Sequence, residues 1–189
     1  LSTNKGLKIE ASHFGELAMT KESKSLIHLF NATKHIKKHT YKNPTKEHFG
    51  GSVVTDVGVV GAGFMGAGIA TLCADKGIHA RLTDPSEKAI SRAMKSASKY
   101  FSKKVDRRKL KSFELPSKLA HISPCLAPAG LHNTQVTIEA VFEDLDLKKN
   151  ILKDIESKAG DNWIFATNTS AIPVGEIAIA AQSPERVVG

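Results

Sequence analysis

Long hydrophobic runs are missing from this sequence of 189 residues. No apolar stretch approaches the roughly 20 residues that cross a bilayer, and the first residues contain no hydrophobic core of a secretory signal. Cys73 and Cys125 are the only cysteines, too few for a disulfide framework, which favours a reducing compartment. We expect no metal site. Because a starting methionine is also missing, we expect a processed chain or an excised piece.

The charge of the chain is positive and unevenly placed. The net charge is +8, and residues 1–52 hold nine lysines against four acidic residues. A basic face suits nucleic acid, an anionic membrane or a phosphorylated ligand. Aromatic residues make up only 6%, and no nucleic-acid recognition motif is present, so we expect no nucleic-acid partner.

Residues 1–52 differ in pattern from the rest of the chain. Residues 13–39 predict one or two helices, with Thr20 ahead of Ser23 as a weak N-terminal cap. An apolar stripe is formed by Leu26, Ile27, Leu29 and Phe30. The stretch 40–52, which contains Asn-Pro and Gly-Gly pairs, predicts a linker. A surface helix packed against a neighbour explains the stripe, and a helix lying on a membrane surface is the alternative.

From Val53 onward, short β-branched runs alternate with longer helical ones. This alternation predicts an α/β fold with a Rossmann-type doubly wound parallel sheet, preceded by the helical linker segment 1–52. Strands are expected at 53–60, 78–83, 120–123, 136–142, 163–167 and from 186 onward. Helices are expected at 64–76, 85–113, 145–159 and 174–181. Residues 53–189 therefore form the predicted nucleotide-binding domain.

The first strand and helix are joined by a G-x-G-x-x-G motif formed by Gly61, Gly63 and Gly66. Gly61 permits a tight turn, and Gly63 lets a pyrophosphate approach the backbone. Gly66 lets the helix pack closely, and the phosphate charge meets the free N–H groups at the helix start. The motif therefore predicts dinucleotide binding.

Asp84 ends the second predicted strand, 18 residues after Gly66. A carboxylate at this place accepts hydrogen bonds from the ribose hydroxyls of the adenosine half. A 2′-phosphate would face a like charge there, which favours NAD over NADP. Arg81 is close enough in sequence to soften that preference. Asp84 could also cap the helix that follows.

Two further segments place polar residues at the ends of predicted strands. Glu139 and Glu143 precede a helix, whose dipole favours acids there, and Lys148 could pair with Asp144 at i,i+4. The residues Asn168, Thr169 and Ser170 follow the fifth strand, with Ser170 as an alternative N-terminal cap. Ligands of parallel sheets bind at the carboxyl ends of strands. Both segments are therefore candidates for a binding cleft.

Three stretches together, VGVVGAGFMGAGIA, IEAVFEDLDLKKNIL and IFATNTSAIPVGEIA, resemble the NAD-binding domain of L-3-hydroxyacyl-CoA dehydrogenases over residues 53–189. The upstream HFGELAMTKESKSLIHLF resembles the linker helix of multifunctional fatty-acid oxidation enzymes. In those enzymes it joins an enoyl-CoA hydratase domain to the dehydrogenase. The mitochondrial members are the nearer likeness and the peroxisomal ones the second, so a mitochondrial location is expected, with a peroxisomal one as the alternative.

The resemblance implies oxidation of (S)-3-hydroxyacyl-CoA to 3-ketoacyl-CoA, with NAD as hydride acceptor. It matches the pyrophosphate loop to Gly61, Gly63, Phe64, Met65 and Gly66, and the ribose acceptor to Asp84. Contacts on the nicotinamide side match Glu143 and Lys148, and Asn168 lines the same cleft. Ser170 matches the hydroxyl that hydrogen-bonds the C3 oxygen of the substrate. Such a donor holds the alcohol and stabilises charge that develops on oxygen.

The basic stretch 103–111 coincides with the CoA-binding helix of the family. It carries six cations and one acid, and Lys104 and Arg107 are the candidates for the CoA phosphates. A solvated charged face is the alternative explanation. A serine that some relatives use corresponds to Tyr100 here.

The family's general base is a histidine that directly follows RVVG, ahead of a C-terminal helical domain. These 189 residues are therefore expected to bind NAD but to have negligible dehydrogenase activity alone. The resemblance also implies a hydratase domain in the same longer chain, a thiolase subunit as partner, and membrane association of the full complex as an open point. Another β-hydroxyacid dehydrogenase, or an NAD-binding module without chemistry, is left as the alternative.

Overall fold

The computed structural model describes residues 2–38, 53–128, 130–160 and 163–189. The chain divides into two compact units, Leu1–Ser52 and Val53–Gly189. In the first unit, helix α1 spans Thr3–Ala18 and helix α2 spans Lys21–Lys38. The hydroxyl oxygen of Thr20 accepts a hydrogen bond from the N–H of Ser23 at 3.2 Å, so the predicted cap is confirmed.

Helix α1 begins well before residue 13, where the sequence predicted a helix to start. Its first turns contain few apolar residues and therefore give a weak periodic signal. No residue of α1 is buried. The exposed large apolar side chains of the two helices are Leu7, Ile9, Phe14, Leu17, Leu26, Ile27, Leu29 and Phe30. Among the described residues, no helix combines the length and apolarity needed to cross a membrane. The predicted linker 40–52 lies outside the described residues.

The second unit contains a six-stranded parallel sheet with the order β3-β2-β1-β4-β5-β6. The strands are β1 Asp56–Val60, β2 His79–Thr83, β3 Ile122–Cys125, β4 Val136–Glu139, β5 Ile164–Thr167 and β6 Val187–Val188. The α-helices are α3 Phe64–Asp75, α4 Glu87–Asp106, α5 Leu115–Ala120, α6 Leu145–Glu156 and α7 Val174–Ala178. The strand order reverses between β1 and β4, where such sheets open a crevice for a ligand. The predicted fold class is confirmed.

Apolar side chains are buried on both faces of the sheet. Successive strand residues point to opposite faces. Val59 accordingly packs in a cluster with Phe101 of α4, whereas Val60 packs in a second cluster with Leu152 of α6 and Phe165 of β5. Burying each aromatic side chain contributes about 1.5–3 kcal/mol. The two clusters fix the helices on both sides of the sheet and hold the carboxyl ends of the strands at one edge.

Helix α4 is shorter than the predicted helix 85–113. The Ser86 side chain caps its start by accepting a hydrogen bond from the N–H of Ala89 at 3.3 Å. The helix ends at Asp106 because Arg108 adopts a left-handed conformation, with φ of 54°. The N–H groups of Arg108 and Lys109 then bond to carbonyls of the last turn and close it. Helix α5 was not predicted, and β3 begins two residues later than expected, after α5 ends at Ala120. The other predicted elements of this unit differ from the observed bounds by at most about three residues at an end, which is ordinary.

Two glycines bring backbone segments into direct contact at the turn between β1 and α3. Gly61 has a φ of +101°, and a Cβ there would lie 2.5 Å from the carbonyl oxygen of Ala140. A Cβ on Gly66 would lie 1.8 Å from the carbonyl oxygen of Gly61. Helix α3 therefore rests directly on the turn. Gly68 differs, since a Cβ there meets nothing within 4 Å.

We predict opposite effects of alanine at two positions of α3. Gly66→Ala should lower the free energy of unfolding by about 2–3 kcal/mol, because the new methyl group overlaps backbone that cannot move independently. Gly68→Ala should raise it by about 0.5–1 kcal/mol, since alanine restricts the unfolded chain and meets open space. Urea unfolding of the two variants and the unchanged chain measures both. Equal midpoints for Gly66→Ala and the unchanged chain would contradict the packing described here.

Candidate cofactor-binding site

The turn after β1 forms an open cradle at the start of α3. Gly63 immediately precedes α3, and a Cβ there would meet nothing within 4 Å. The first N–H groups of a helix have no partner within the helix and carry partial positive charge. Phe64 and Met65 follow with exposed side chains. The turn therefore fits an anionic group such as a pyrophosphate, which can approach the backbone without meeting a side chain.

Asp84 lies beside this cradle at the end of β2. Its carboxylate accepts hydrogen bonds from the N–H of Ala62 at 2.9 Å and from the N–H of Ser86 at 2.8 Å. Ser86, not Asp84, is the side-chain cap of α4. Each carboxylate oxygen has further acceptor capacity. Asp84 is thus held against the glycine turn and can still accept hydroxyl groups of a ligand.

Arg81 is directed to another part of the sheet. Its guanidinium packs against Gly130, where a Cβ would lie 2.9 Å from a terminal nitrogen of Arg81. Gly130 belongs to the loop before β4, together with residues that line a small cavity at the amino end of the strands. The guanidinium therefore lies away from the carboxyl edge, where Asp84 lies.

Glu143 organises the turn that follows β5. One of its carboxylate oxygens accepts hydrogen bonds from the Thr169 hydroxyl and from the N–H groups of Ser170, at 3.1 Å, and Ala171, at 3.0 Å. The Thr169 hydroxyl and the Ala171 N–H contribute most to lowering the pKa of Glu143, from 4.5 to about 2, with Lys148 and the Ser170 N–H adding to them. The carboxylate is therefore charged across the physiological range.

Lys148 is completely buried beneath Glu143. Its Nζ atom lies 2.9 Å from each carboxylate oxygen of Glu139 and 3.2 Å from Glu143. The pair of Lys148 with Asp144 considered from the sequence is not formed. Asp144 instead caps α6 by accepting the N–H of Leu147 at 2.8 Å. Sequence reasoning gave Glu139 no separate role, although a glutamate that ends a β-branched strand is a usable signal of a buried charge.

Asn168 and Ser170 present their side chains to solvent at the same edge. Both residues are exposed. Neither side chain makes a hydrogen bond within the part of the chain that the structure describes. Ser170 does not cap the following helix, because Pro173 precedes α7 without a side-chain cap. The amide of Asn168 and the hydroxyl of Ser170 are therefore available to a ligand.

The structure brings most of the predicted site residues to one edge of the sheet. The glycine turn, Asp84, Glu143, Asn168 and Ser170 follow β1, β2, β4 and β5, which are neighbours in the sheet. Lys148 belongs to this group but lies under it. The polar groups thus follow a path across the strand-order reversal.

The two residues expected at the CoA phosphates differ in their surroundings. Lys104 is paired with Asp75, with Nζ and Oδ1 separated by 2.5 Å, and Tyr100 donates to the same carboxylate at 3.0 Å. Burial alone would raise the pKa of Asp75, but the hydrogen bonds from Lys104 and Tyr100 outweigh it and lower that pKa. Arg107 lies at the exposed end of α4, and its side chain makes no hydrogen bond or ion pair with the described residues.

A parallel sheet of this order, with an open glycine turn and a carboxylate after β2, defines a dinucleotide-binding α/β protein. Residues 56–189 match the family described as 3-hydroxyacyl-CoA dehydrogenase, NAD binding domain, and the chain belongs to that family. The resemblance stated from the motifs and the choice of NAD as cofactor are both confirmed.

Curated relatives match nearly the whole chain. The fatty acid oxidation complex subunit alpha of Idiomarina loihiensis is 44% identical over 185 residues, which are 97% of this chain and 26% of that protein. The subunit of the same name from Shewanella frigidimarina is 41% identical over 189 residues, with 98% and 26% covered. The chain thus spans about a quarter of the length of these relatives.

Solved structures give the same family. The (S)-3-hydroxybutyryl-CoA dehydrogenase of Ralstonia eutropha has a TM-score of 0.67 and 34% identity, covering 71% of this chain and 48% of that one. The 3-hydroxybutyryl-CoA dehydrogenase of Escherichia coli has a TM-score of 0.68 and 32% identity, covering 72% and 29%.

The expected mitochondrial location, with a peroxisomal one as its alternative, is wrong. The curated relatives described above come from bacteria, which have neither organelle. The motifs that carried the resemblance bind a cofactor and contain no information on the compartment, so they could not separate bacterial from organellar members.

We predict that the Glu143 carboxyl titrates near pH 2. The pKa of Glu143 in the folded chain lies below its ordinary value. The ionised carboxylate therefore stabilises the turn fully above about pH 4.5, and this stabilisation is lost as the pH falls through 2. Thr169→Val, which removes one donor, should move the midpoint upward. Carboxyl ¹³C NMR measures the midpoint, and Thr33→Val in the first unit serves as the matched control. A midpoint near 4.5 in the unchanged chain would contradict the contacts described.

Proposed function

We propose that this chain is the NAD-binding part of an (S)-3-hydroxyacyl-CoA dehydrogenase that forms one portion of a longer, multifunctional β-oxidation protein. One observation carries the proposal: the open cradle at Gly63 and the turn held by Glu143 lie at the same edge of the sheet. The first suits a dinucleotide and the second presents a free hydroxyl, that of Ser170, which such a reaction needs. A binding module without chemistry has no need of the second feature.

NAD, when bound, supplies the acceptor for a hydride from the C3 carbon of the substrate. The N–H groups at the start of α3 would bind its pyrophosphate, and Asp84 would accept the ribose hydroxyls. The carboxylate of Asp84 would also repel a 2′-phosphate. Phe64 and Met65 flank the cradle and would shield the bound group from water.

Ser170 is the residue we assign to the reacting oxygen of the substrate. Its hydroxyl is exposed and free among the described residues, whereas its N–H is bound to Glu143. A fixed backbone with a free hydroxyl is a preorganised donor, which stabilises charge on oxygen without reorganisation during the reaction. Asn168, two residues earlier, would contact the nicotinamide side of the same cleft.

The proton of the alcohol requires a base that this unit does not place at the site. Its three histidines are His79, which begins β2, and His121 and His132, which precede β3 and β4. All three lie toward the amino ends of the strands, opposite the glycine turn, and the rings of His79 and His121 stack at 4.6 Å. We propose that another part of the longer protein contributes the general base, an imidazole by the family resemblance.

The CoA portion of the substrate would bind along α4. A cavity of about 650 Å³ opens between α3 and α4, lined by residues such as Phe64, Leu72, Arg92 and Tyr100. Arg107, at the end of the same helix, has a free guanidinium suited to a phosphate. Lys104 would support this helix through Asp75 instead of contacting the phosphate directly.

The names of the same relatives support a proposal about the partners of the longer protein. They are named as alpha subunits of a fatty acid oxidation complex and are nearly four times the length of this chain. We propose a hydratase domain in the same polypeptide and a thiolase subunit as partner of the complex. The exposed large apolar side chains of α1 and α2 support contact with such a domain, because large apolar patches mark interfaces.

We predict that this chain binds NADH and that Asp84→Asn weakens the binding about tenfold or more, the effect of losing charged hydrogen bonds to two hydroxyls. NADPH should bind more weakly than NADH to the unchanged chain, and the difference should shrink in the variant. Fluorescence titration measures each Kd. Asp154→Asn, which removes an exposed pair with Lys158, is the control. Equal affinity of the unchanged chain for both nucleotides would refute the role of Asp84.

We predict that Ser170→Ala, made in the longer protein, lowers kcat about 100-fold, which is the effect of removing one fixed donor to a reacting oxygen. The Kd for NADH should change less than about twofold, since the hydroxyl serves the substrate. Steady-state kinetics with a 3-hydroxyacyl-CoA measures the first value. Ser157→Ala, at the end of α6, is the matched control. An unchanged kcat would remove Ser170 from the mechanism.

A further inference from the structure

Glu139 is a fully buried carboxylate to which the mechanism above gives no task. Its Oε1 atom accepts the N–H of Val141 at 2.7 Å, and its Oε2 atom accepts the Thr167 hydroxyl at 2.7 Å. Both oxygens also contact the ammonium of Lys148 at 2.9 Å. Glu139 therefore ties the ends of β4 and β5 and the first turn of α6 to one point.

Lys148 lies between the carboxylates of Glu139 and Glu143. An ammonium has three N–H donors. Three carboxylate oxygens lie within 3.2 Å of its nitrogen, two from Glu139 and one from Glu143, and the side chain is completely buried. Lys148 thus links the two carboxylates from beneath the turn.

Glu143 connects the buried ion pair of Glu139 and Lys148 to the protein surface. One of its oxygens binds the turn at Thr169, Ser170 and Ala171, and the other faces Lys148. Its side chain is 36% exposed, in contrast to 0% for Glu139 and Lys148. The contacts therefore run from buried Glu139, through buried Lys148, to half-exposed Glu143. From Glu143 they continue to the turn that carries Asn168 and Ser170.

The cost of burying these charges argues against a purely structural purpose. An ion pair removed from water loses solvation that its mutual attraction often only just offsets, and apolar residues of similar size stabilise a core equally well or better. An apolar pair at 139 and 148 would fix α6 on β4 just as firmly. It would leave Glu143 without a cation to hold its orientation.

We propose that Glu139 is a positioning residue for the nicotinamide end of the cofactor: through Lys148 it orients Glu143 and so places the turn at 168–171. This inference rests on the proposed function, since it takes the cleft beside that turn as the nicotinamide site.

The test compares two nucleotides on this chain. NADH occupies both halves of the proposed site, whereas ADP lacks the nicotinamide and its ribose and occupies only the half at the glycine turn and Asp84. Glu139→Gln should weaken NADH binding about 5- to 20-fold and leave the Kd for ADP within about twofold. The Ser170 and Ala171 amide signals should shift in the ¹H–¹⁵N spectrum of the variant.

A second variant keeps the test valid if Glu139→Gln does not fold. Thr167→Val removes one hydrogen bond to Glu139 and keeps all three charged groups in place, so it should fold. It should nevertheless show the same selective loss of NADH. Glu156→Gln is the matched control, since Glu156 also holds a turn through two backbone N–H groups, those of Gln182 and Ser183, at the far end of α6.

Each outcome has a distinct meaning. A selective loss of NADH in the folded variants supports the positioning role. Equal loss of both nucleotides shows that Glu139 acts on the whole fold and overturns it, as does unchanged binding of both. If the unchanged chain binds neither nucleotide, the proposed function itself fails, independently of Glu139.

Discussion

The whole site depends on a contact between backbone atoms with no side chain between them. At Gly61 the turn after β1 passes so close to the carbonyl oxygen of Ala140 that a Cβ would lie 2.5 Å from it, and Gly66 seats α3 on the carbonyl of Gly61 in the same way. This packing joins the turns after β1 and β4, the two strands at which the order of the sheet reverses. The positive end of α3 and the acidic turn before α6 consequently face one crevice.

The two halves of that crevice are built by different physical means. At the glycine turn, backbone N–H groups and the open space at Gly63 form the surface, and Asp84 is fixed by hydrogen bonds from the backbone of its neighbours. On the other side, side-chain charges on β4 and α6 hold the turn after β5. A backbone cradle binds any phosphate ester, whereas a charge-held turn can fix a single hydroxyl in space. One sheet edge thus carries two turns, one held mainly by backbone contacts and the other by charged side chains.

The fold and the binding turn could be predicted from the sequence because their signals are local. Alternating β-branched and amphipathic runs, glycines at fixed offsets, and Asp84 at a strand end all lie within short windows. The pairing of Lys104 with Asp75 could not be predicted, since the residues lie 29 positions apart and meet only when α4 packs on α3. The end of α4 depended on the backbone of Arg108, which has no local signal comparable to a glycine. The role of Glu139 needed the register of β4 with β5, which brings Thr167 alongside it.

The charges under the turn follow from one requirement. The turn at 169–171 offers two backbone N–H groups and a hydroxyl to a single acceptor, and only a carboxylate accepts all three on one oxygen with that strength. Such a carboxylate is fixed in orientation only if its second oxygen also has a partner, and Lys148 supplies it from below. A buried ammonium in turn needs compensation, which the two oxygens of Glu139 provide. One set of contacts thus connects the buried ion pair to the turn, and the Ser170 hydroxyl is left exposed by it.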